Sequence, residues 1–306
     1  MLPRDGLQVL KAEAQIPSTA QKLDLIGQLV AVGLRHIEVT SFARPDLLPQ
    51  FADAEDVARR LPRVEGVEYQ ALVPNLRGAQ RAVDSGIRKL SCLTVASQTY
   101  QLKNSNMSVE QGLEQIDAIC SFARSAGAVA TATVGTSFWC PYEGLMPEAK
   151  VMALVERLVS FGIRLVVLAD SIGCADPLHI RRLVVALRVR FPELSIGLHL
   201  HDFTGLGLTN AYAGWDVGVD VFETSAAGIG GGIRMPVAAA QMGNVATEDI
   251  VHLLHRCGVP TGIDLDRLRD VGQWAAQLLQ QSPASRLCRG GTLEQFLASG
   301  QAVLDR

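Results

Sequence analysis

Two histidines flank a leucine in Leu198-His199-Leu200-His201-Asp202. Residues i and i+2 of a strand point to the same face, so both imidazoles can aim at one ion. A two-histidine, one-carboxylate set suits Mg²⁺ or Mn²⁺ as a Lewis acid, or Fe(II) in an oxygenase, and Asp5 is a carboxylate that could complete it. A lone histidine would more simply cap a loop or pack. The pairing, with Asp202 beside it, is what favours a metal. Arg4 and Glu38 make a second constellation. Glu38 lies near the end of an apolar run, where a buried carboxylate is costly unless paired, and Arg4 is its natural partner. Asp170, in Asp170-Ser171-Ile172-Gly173, lies at a strand-to-helix turn, where it either caps the turn or serves chemistry.

Other features are weaker or exclude chemistry. Gly228-Ile229-Gly230-Gly231-Gly232 reads equally as a flexible loop or as a close backbone approach to a phosphate. Asn244 precedes Thr247-Glu248-Asp249, an N-cap and acidic first turn, and reads as structural there. No Gly-x-Ser-x-Gly elbow is present, which argues against a serine hydrolase. The 6 cysteines form no close pair, so neither a zinc knuckle nor a Cys-x-x-Cys redox site is built. A reduced, cytoplasmic compartment fits them best.

Positioning these residues requires strands with polar groups at their C-terminal ends. Seven short apolar or β-branched runs are of strand length: His36–Thr40, Val67–Val73, Lys89–Val95, Ala128–Val134, Arg164–Ala169, Ser195–Leu200 and Asp220–Ser225. Helical spacing lies between them. Ser18 and Ser108 each begin a capping-box pattern, and Pro147 and Pro177 each open a helix. Alternating strands and helices predict a parallel sheet. The first hundred residues lack the Gly-x-Gly-x-x-Gly turn of an open nucleotide-binding sheet, so a (β/α)8 TIM barrel is favoured. Its first strand has only three residues before Arg4 and is short or truncated. A closed barrel leaves no unpaired edge, so a start upstream by about five to eight residues is expected. Residues 1–282 are read as the barrel domain and 283–306 as a helical tail packed on it.

The 306 residues carry 48% hydrophobic and 19% charged side chains, which excludes a disordered chain. The net charge of −3 leaves no electrostatic footprint for nucleic acid. No apolar run is long enough for a membrane span, and no secretory signal pattern is present.

Taken in order, several motifs resemble the 3-hydroxy-3-methylglutaryl-CoA (HMG-CoA) lyase family of metal-dependent TIM-barrel lyases and condensing enzymes. They are Pro3-Arg4-Asp5-Gly6-Leu7-Gln8, Ile37-Glu38-Val39-Thr40-Ser41-Phe42, Pro74-Asn75-Leu76, Cys140-Pro141-Tyr142-Glu143-Gly144, His199-Leu200-His201-Asp202 and Gly243-Asn244-Val245-Ala246-Thr247-Glu248-Asp249. The resemblance implies that Asp5, His199, His201 and Asn244 ligate a divalent cation, Mg²⁺ or Mn²⁺. It implies that Arg4 stabilises an enolate, that Glu38 and Asp170 move protons, and that Gln8 lines the pocket. The stretch from Ser97 to Asn106, with Asn104 in it, matches the loop that approaches the CoA end.

The implied reaction is cleavage of a 3-hydroxyacyl-CoA, most simply HMG-CoA to acetyl-CoA and acetoacetate. Alternatives are a relative acting on citramalyl-CoA, an acetyl-CoA condensing enzyme, and a non-catalytic CoA-binding homologue. A homodimer is expected. One departure stands out: the family places a cysteine acid after its glycine pair, whereas here the run is Gly230-Gly231-Gly232-Ile233-Arg234. Arg234 is therefore expected to meet a carboxylate or a CoA phosphate, and Cys174 to pack or to replace the acid.

Overall fold

The structure is a computed structural model that describes residues 1–10, 16–231 and 243–304. Among the described residues, seven parallel strands form one curled sheet. They are β1 (His36–Ser41), β2 (Glu68–Leu72), β3 (Lys89–Val95), β4 (Val129–Gly135), β7 (Leu165–Asp170), β8 (Ser195–Leu200) and β9 (Val221–Glu223), hydrogen-bonded in that order. All seven expected runs form strands, and the helices between them make this the (β/α)8 barrel fold. A short antiparallel hairpin, β5 (Trp139–Cys140) and β6 (Gly144–Leu145), is added above β4.

Where an eighth strand would stand, Leu2–Gly6 forms one helical turn instead. The amides of Arg4 and Asp5 close on the Met1 carbonyl at 3.0 and 2.8 Å. The turn packs on β1, and the Met1 amine donates to the Thr224 carbonyl beyond β9 at 2.9 Å. It therefore lies at the seam between the two end strands of the sheet.

The helices start where the residues call for it. Ser18 and Gln21 form the capping box of α1 (Thr19–Ala31). The chain continues through α2 (Ala54–Arg59), α3 (Leu76–Asp84) and α4 (Gln98–Ser105). Ser108 and Gln111 cap α5 (Val109–Ser125), and Pro147 precedes α6 (Glu148–Ser160). Asp176 caps α7 (Pro177–Arg190), and α8 (Gly207–Asp216) follows β8. Outward-facing strand residues such as Leu90, Cys92, Leu168 and Leu198 are fully buried under these helices and form the core.

The chain then runs through α9 (Thr247–Arg256), α10 (Leu265–Leu278), α11 (Arg286–Gly290) and α12 (Leu293–Leu304). Ala246, not Thr247, caps α9. The acidic pair behind it serves neighbouring segments. Asp249 accepts from Ser285 Oγ and the amides of Arg286 and Leu287 at 2.8–3.1 Å, tying α11 to α9. Among the described residues, no helix is long and apolar enough to cross a membrane.

Candidate metal centre and active-site cavity

Strand register brings the site together. On β8 the pleat turns His199 inward and Leu198 out, and the chain continues into His201 on the same face. His199 lies beside Ala169 of β7 and Glu223 of β9. Asn244 pairs with His201 through an isolated antiparallel bridge. Asp5 arrives from the seam turn. Ligand atoms of Asp5, His199 and His201 lie within 4.8 Å of one another, and all three residues are buried.

The second nitrogen of each ring is already engaged. His199 Nδ1 meets Glu223 Oε2 at 3.0 Å, and His201 Nδ1 meets the Asp170 carbonyl at 3.1 Å. That leaves both Nε2 atoms for a ligand, the arrangement metal-bound imidazoles adopt. Among the described residues, His201 Nε2 and Asn244 Oδ1 are buried without a hydrogen-bond partner. Such orphans cost free energy unless something else satisfies them. A carboxylate, two imidazoles and an amide oxygen fit a hard or borderline divalent cation.

Electrostatics separates the carboxylates. Burial disfavours the Asp5 charge, but Arg4, His199, His201 and the Asn244 amide overcome it and hold the carboxyl well below its usual range. Asn244 Nδ2 donates to Asp5 Oδ2 at 2.7 Å, and Arg4 Nη1 to Oδ1 at 2.8 Å. Burial raises the pKa of Glu38, which accepts from Arg4 Nε. Burial acts in the same direction on Glu223, but its hydrogen bond to His199 reverses it and lowers the pKa. Burial pulls the His201 pKa down to about 4, which keeps that imidazole neutral and able to ligate.

A cavity of about 560 Å³ opens from Asp5, His199, His201 and Glu223 toward Tyr100 and Asn104 of α4. The hairpin fastens the start of α4. Cys140 Sγ lies 3.1 Å from Ser97 Oγ, and Glu143 accepts from the Thr99 amide at 2.8 Å.

The HMGL-like family profile matches residues 2–274. The chain belongs to the HMGL-like family. It is 38% identical over 284 residues to a hydroxymethylglutaryl-CoA lyase of Bacillus subtilis, covering 93% of each chain. It is 35% identical to the mitochondrial hydroxymethylglutaryl-CoA lyase of Homo sapiens, covering 94% of this chain and 86% of that one. An HMG-CoA lyase structure from Acinetobacter baumannii, in complex with coenzyme A and 3-methylmalate, superposes with a TM-score of 0.88 at 36% identity. The match covers 95% of this chain and 93% of that one.

Within this HMGL-like chain, Arg4, Asp5, Gln8, His199 and His201 all line the cavity, as does Asn104. Arg4 Nη1 also reaches Gln8 Oε1 at 3.5 Å. Asn244 stands behind Asp5 with its oxygen unpaired among the described residues. Other expected residues lie elsewhere. Asp170 pairs with Leu200, one position out of phase with His199, so its carboxylate leaves the inner face. It accepts from the amides of Cys174 and Ala175 at 3.2 and 2.9 Å, the loop-capping alternative. Cys174 is half-buried in that loop. Ser97 is buried as the N-cap of α4, with the Tyr100 amide on its hydroxyl at 3.0 Å, and Asn106 is the exposed left-handed residue that ends it. Arg234 lies outside the described residues.

Glu223 lines the cavity and holds His199, and it is missing from the sequence-based expectations. A signal for it exists: Val221-Phe222-Glu223 puts a carboxylate at the end of an apolar strand, the same argument that singles out Glu38.

Proposed function

We propose that this chain is a divalent-metal-dependent carbon–carbon lyase that cleaves HMG-CoA to acetyl-CoA and acetoacetate. The observation that carries the reading is the convergence of Asp5, His199 and His201, with the orphaned Asn244 Oδ1 beside them, at the head of a cavity that also holds Arg4. The kinship to HMG-CoA lyases supplies the substrate. Asp5, His199, His201 and Asn244 would hold the cation, Mg²⁺ or Mn²⁺. When bound, it acts as a Lewis acid that lowers the pKa of the substrate hydroxyl.

The remaining chemistry falls to the chain. The hydroxyl loses its proton, its oxygen becomes the new carbonyl, and the C2–C3 bond breaks. The electron pair passes through C2 to the thioester oxygen as an enolate. Arg4, clamped between Glu38 and Asp5, provides a fixed positive charge for that oxygen. Of the two expected proton carriers, Asp170 is engaged with its own loop, whereas Glu38 stands in the field of Glu223. Glu38 holds a proton more readily, and Glu223 lines the cavity. This pair receives the hydroxyl proton and returns it to C2, which balances the reaction without a cysteine after Gly231.

A panel of 3-hydroxyacyl-CoA esters, including HMG-CoA and citramalyl-CoA, read by mass spectrometry with and without EDTA, tests the reading. Acetyl-CoA and acetoacetate should form from HMG-CoA only when metal is present. Absence of acetyl-CoA from every ester at saturating Mg²⁺ and Mn²⁺ would falsify it. A cytoplasmic homodimer belongs to the same proposal, and light scattering in solution checks the oligomer.

A further inference from the structure

Glu248 is fully buried, carries a charge-bearing group, and touches neither the cavity nor the candidate ligands. Both of its carboxylate oxygens accept from the Ala227 amide, at 2.9 and 3.1 Å. Ala227 has a φ of 56°, a left-handed conformation that costs a non-glycine residue roughly 1 kcal/mol or more. Its carbonyl is held as well, by the Ala284 and Ser285 amides at 2.8 and 3.4 Å. The residue is thus gripped from both sides, by α9 and by the segment leading into α11.

The backbone beyond Ala227 runs directly to the metal centre. The Ile229 carbonyl accepts from Asn244 Nδ2 at 3.3 Å, and the Gly231 amide donates to Asp5 Oδ2 at 3.1 Å. Gly230 presses so close that a Cβ there would collide with Asn244 Nδ2 and Asp5 Oδ2. A shift at Ala227 must therefore move the backbone that orients two of the candidate ligands. Room for the latch is built into α10, where a Cβ at Gly272 would collide with Glu248 Oε1.

We infer that Glu248 and the tail segment at Ala284 position the glycine loop against Asp5 and Asn244, so that the C-terminal tail sets the metal affinity of the site. Glu248 is a positioning residue, acting through Ala227. The inference rests on the proposed metal centre.

The test is Mn²⁺ titration of the full chain by calorimetry, with thermal melting and hydrogen exchange of the peptide spanning 226–231. Glu248→Ala should weaken Mn²⁺ binding about tenfold, the effect typical of groups that orient ligands. Glu248→Gln keeps an acceptor for Ala227 and should restore affinity to within about twofold of wild type. Ala284→Pro removes the closer of the two amides that hold the Ala227 carbonyl while leaving Glu248 and the longer Ser285 contact in place. It should weaken Mn²⁺ binding and speed exchange across 226–231, which keeps the test decisive if Glu248→Ala does not fold. Wild-type affinity in Ala284→Pro and in any folded Glu248→Ala, with only the melting temperature lowered, overturns the inference. A wild-type chain that binds no Mn²⁺ removes the metal reading itself, and the latch with it.

Discussion

Asp5 and Glu248 are both buried carboxylates at hydrogen-bonding distance from backbone amides of one loop, yet their environments drive them apart. Around Asp5 stand a guanidinium and two imidazoles, and the carboxyl stays charged far into acid. Around Glu248 stand amides and the like charge of Asp249, and burial pushes the carboxyl up to about 7. Asp170, also supported by amides, is pushed up to about 6. Burial alone favours the neutral carboxyl, whereas enough positive charge and hydrogen-bond donors around it preserve the anion. Glu248 and Asp170 organise backbone, and Asp5 faces the cavity. Glu38 lies between the two kinds: burial and the neighbouring Glu223 raise its pKa despite the Arg4 guanidinium.

The largest loss is expected at Asp5. Asp5→Asn keeps the shape and removes the charge, and both Mn²⁺ binding and acetyl-CoA release should fall to the detection floor. Arg4→Lys should come next. It keeps a cation but loses the fork that meets Glu38 and Asp5 together, so kcat should drop about 10²-fold or more with KM little changed. Glu223→Gln leaves His199 in place but weakens its orientation, and Mn²⁺ affinity should fall roughly 10-fold or more.

A more modest change is expected at Glu248. The pKa of Glu248 in the folded chain lies above its ordinary value of 4.5, so the folded state binds more protons between about 4.5 and 7. Its contribution to stability is full below about 4.5 and lost as the pH rises through 7. Denaturant melts should show wild type losing stability across that window, by up to roughly 3 kcal/mol, relative to Glu248→Gln, whose slope is flatter. Equal slopes would mean that the surroundings do not raise the Glu248 pKa.

Much of the fold is readable in the residues. The seven strands are legible because each is a short run rich in apolar or β-branched residues, most of them buried along their length, and the serine caps of α1 and α5 because their partners lie three positions away. What depends on distant partners is not. The role of Asp170 turns on strand parity, which a turn motif leaves open. Asn244 looks like part of a helix start, and only the kinship points to its oxygen. The hairpin of Trp139–Cys140 and Gly144–Leu145 has strands too short for any periodicity. Glu248 reads as an acid favouring its own helix dipole, whereas it is spent on a backbone amide 21 residues away.

The seam between β9 and β1 gives the site a second meaning. Asp5 stands on the turn that occupies the seam, and its proposed co-ligands stand on β8 and its neighbours, so an ion held among them would rivet the two flanks of the sheet. Mass action then ties the mechanical integrity of the barrel to its cargo. At a free ion concentration 100-fold above the dissociation constant, the folded state would gain about 2.7 kcal/mol. A cell short of the ion would lose not only turnover but part of the protein itself, to unfolding and proteolysis.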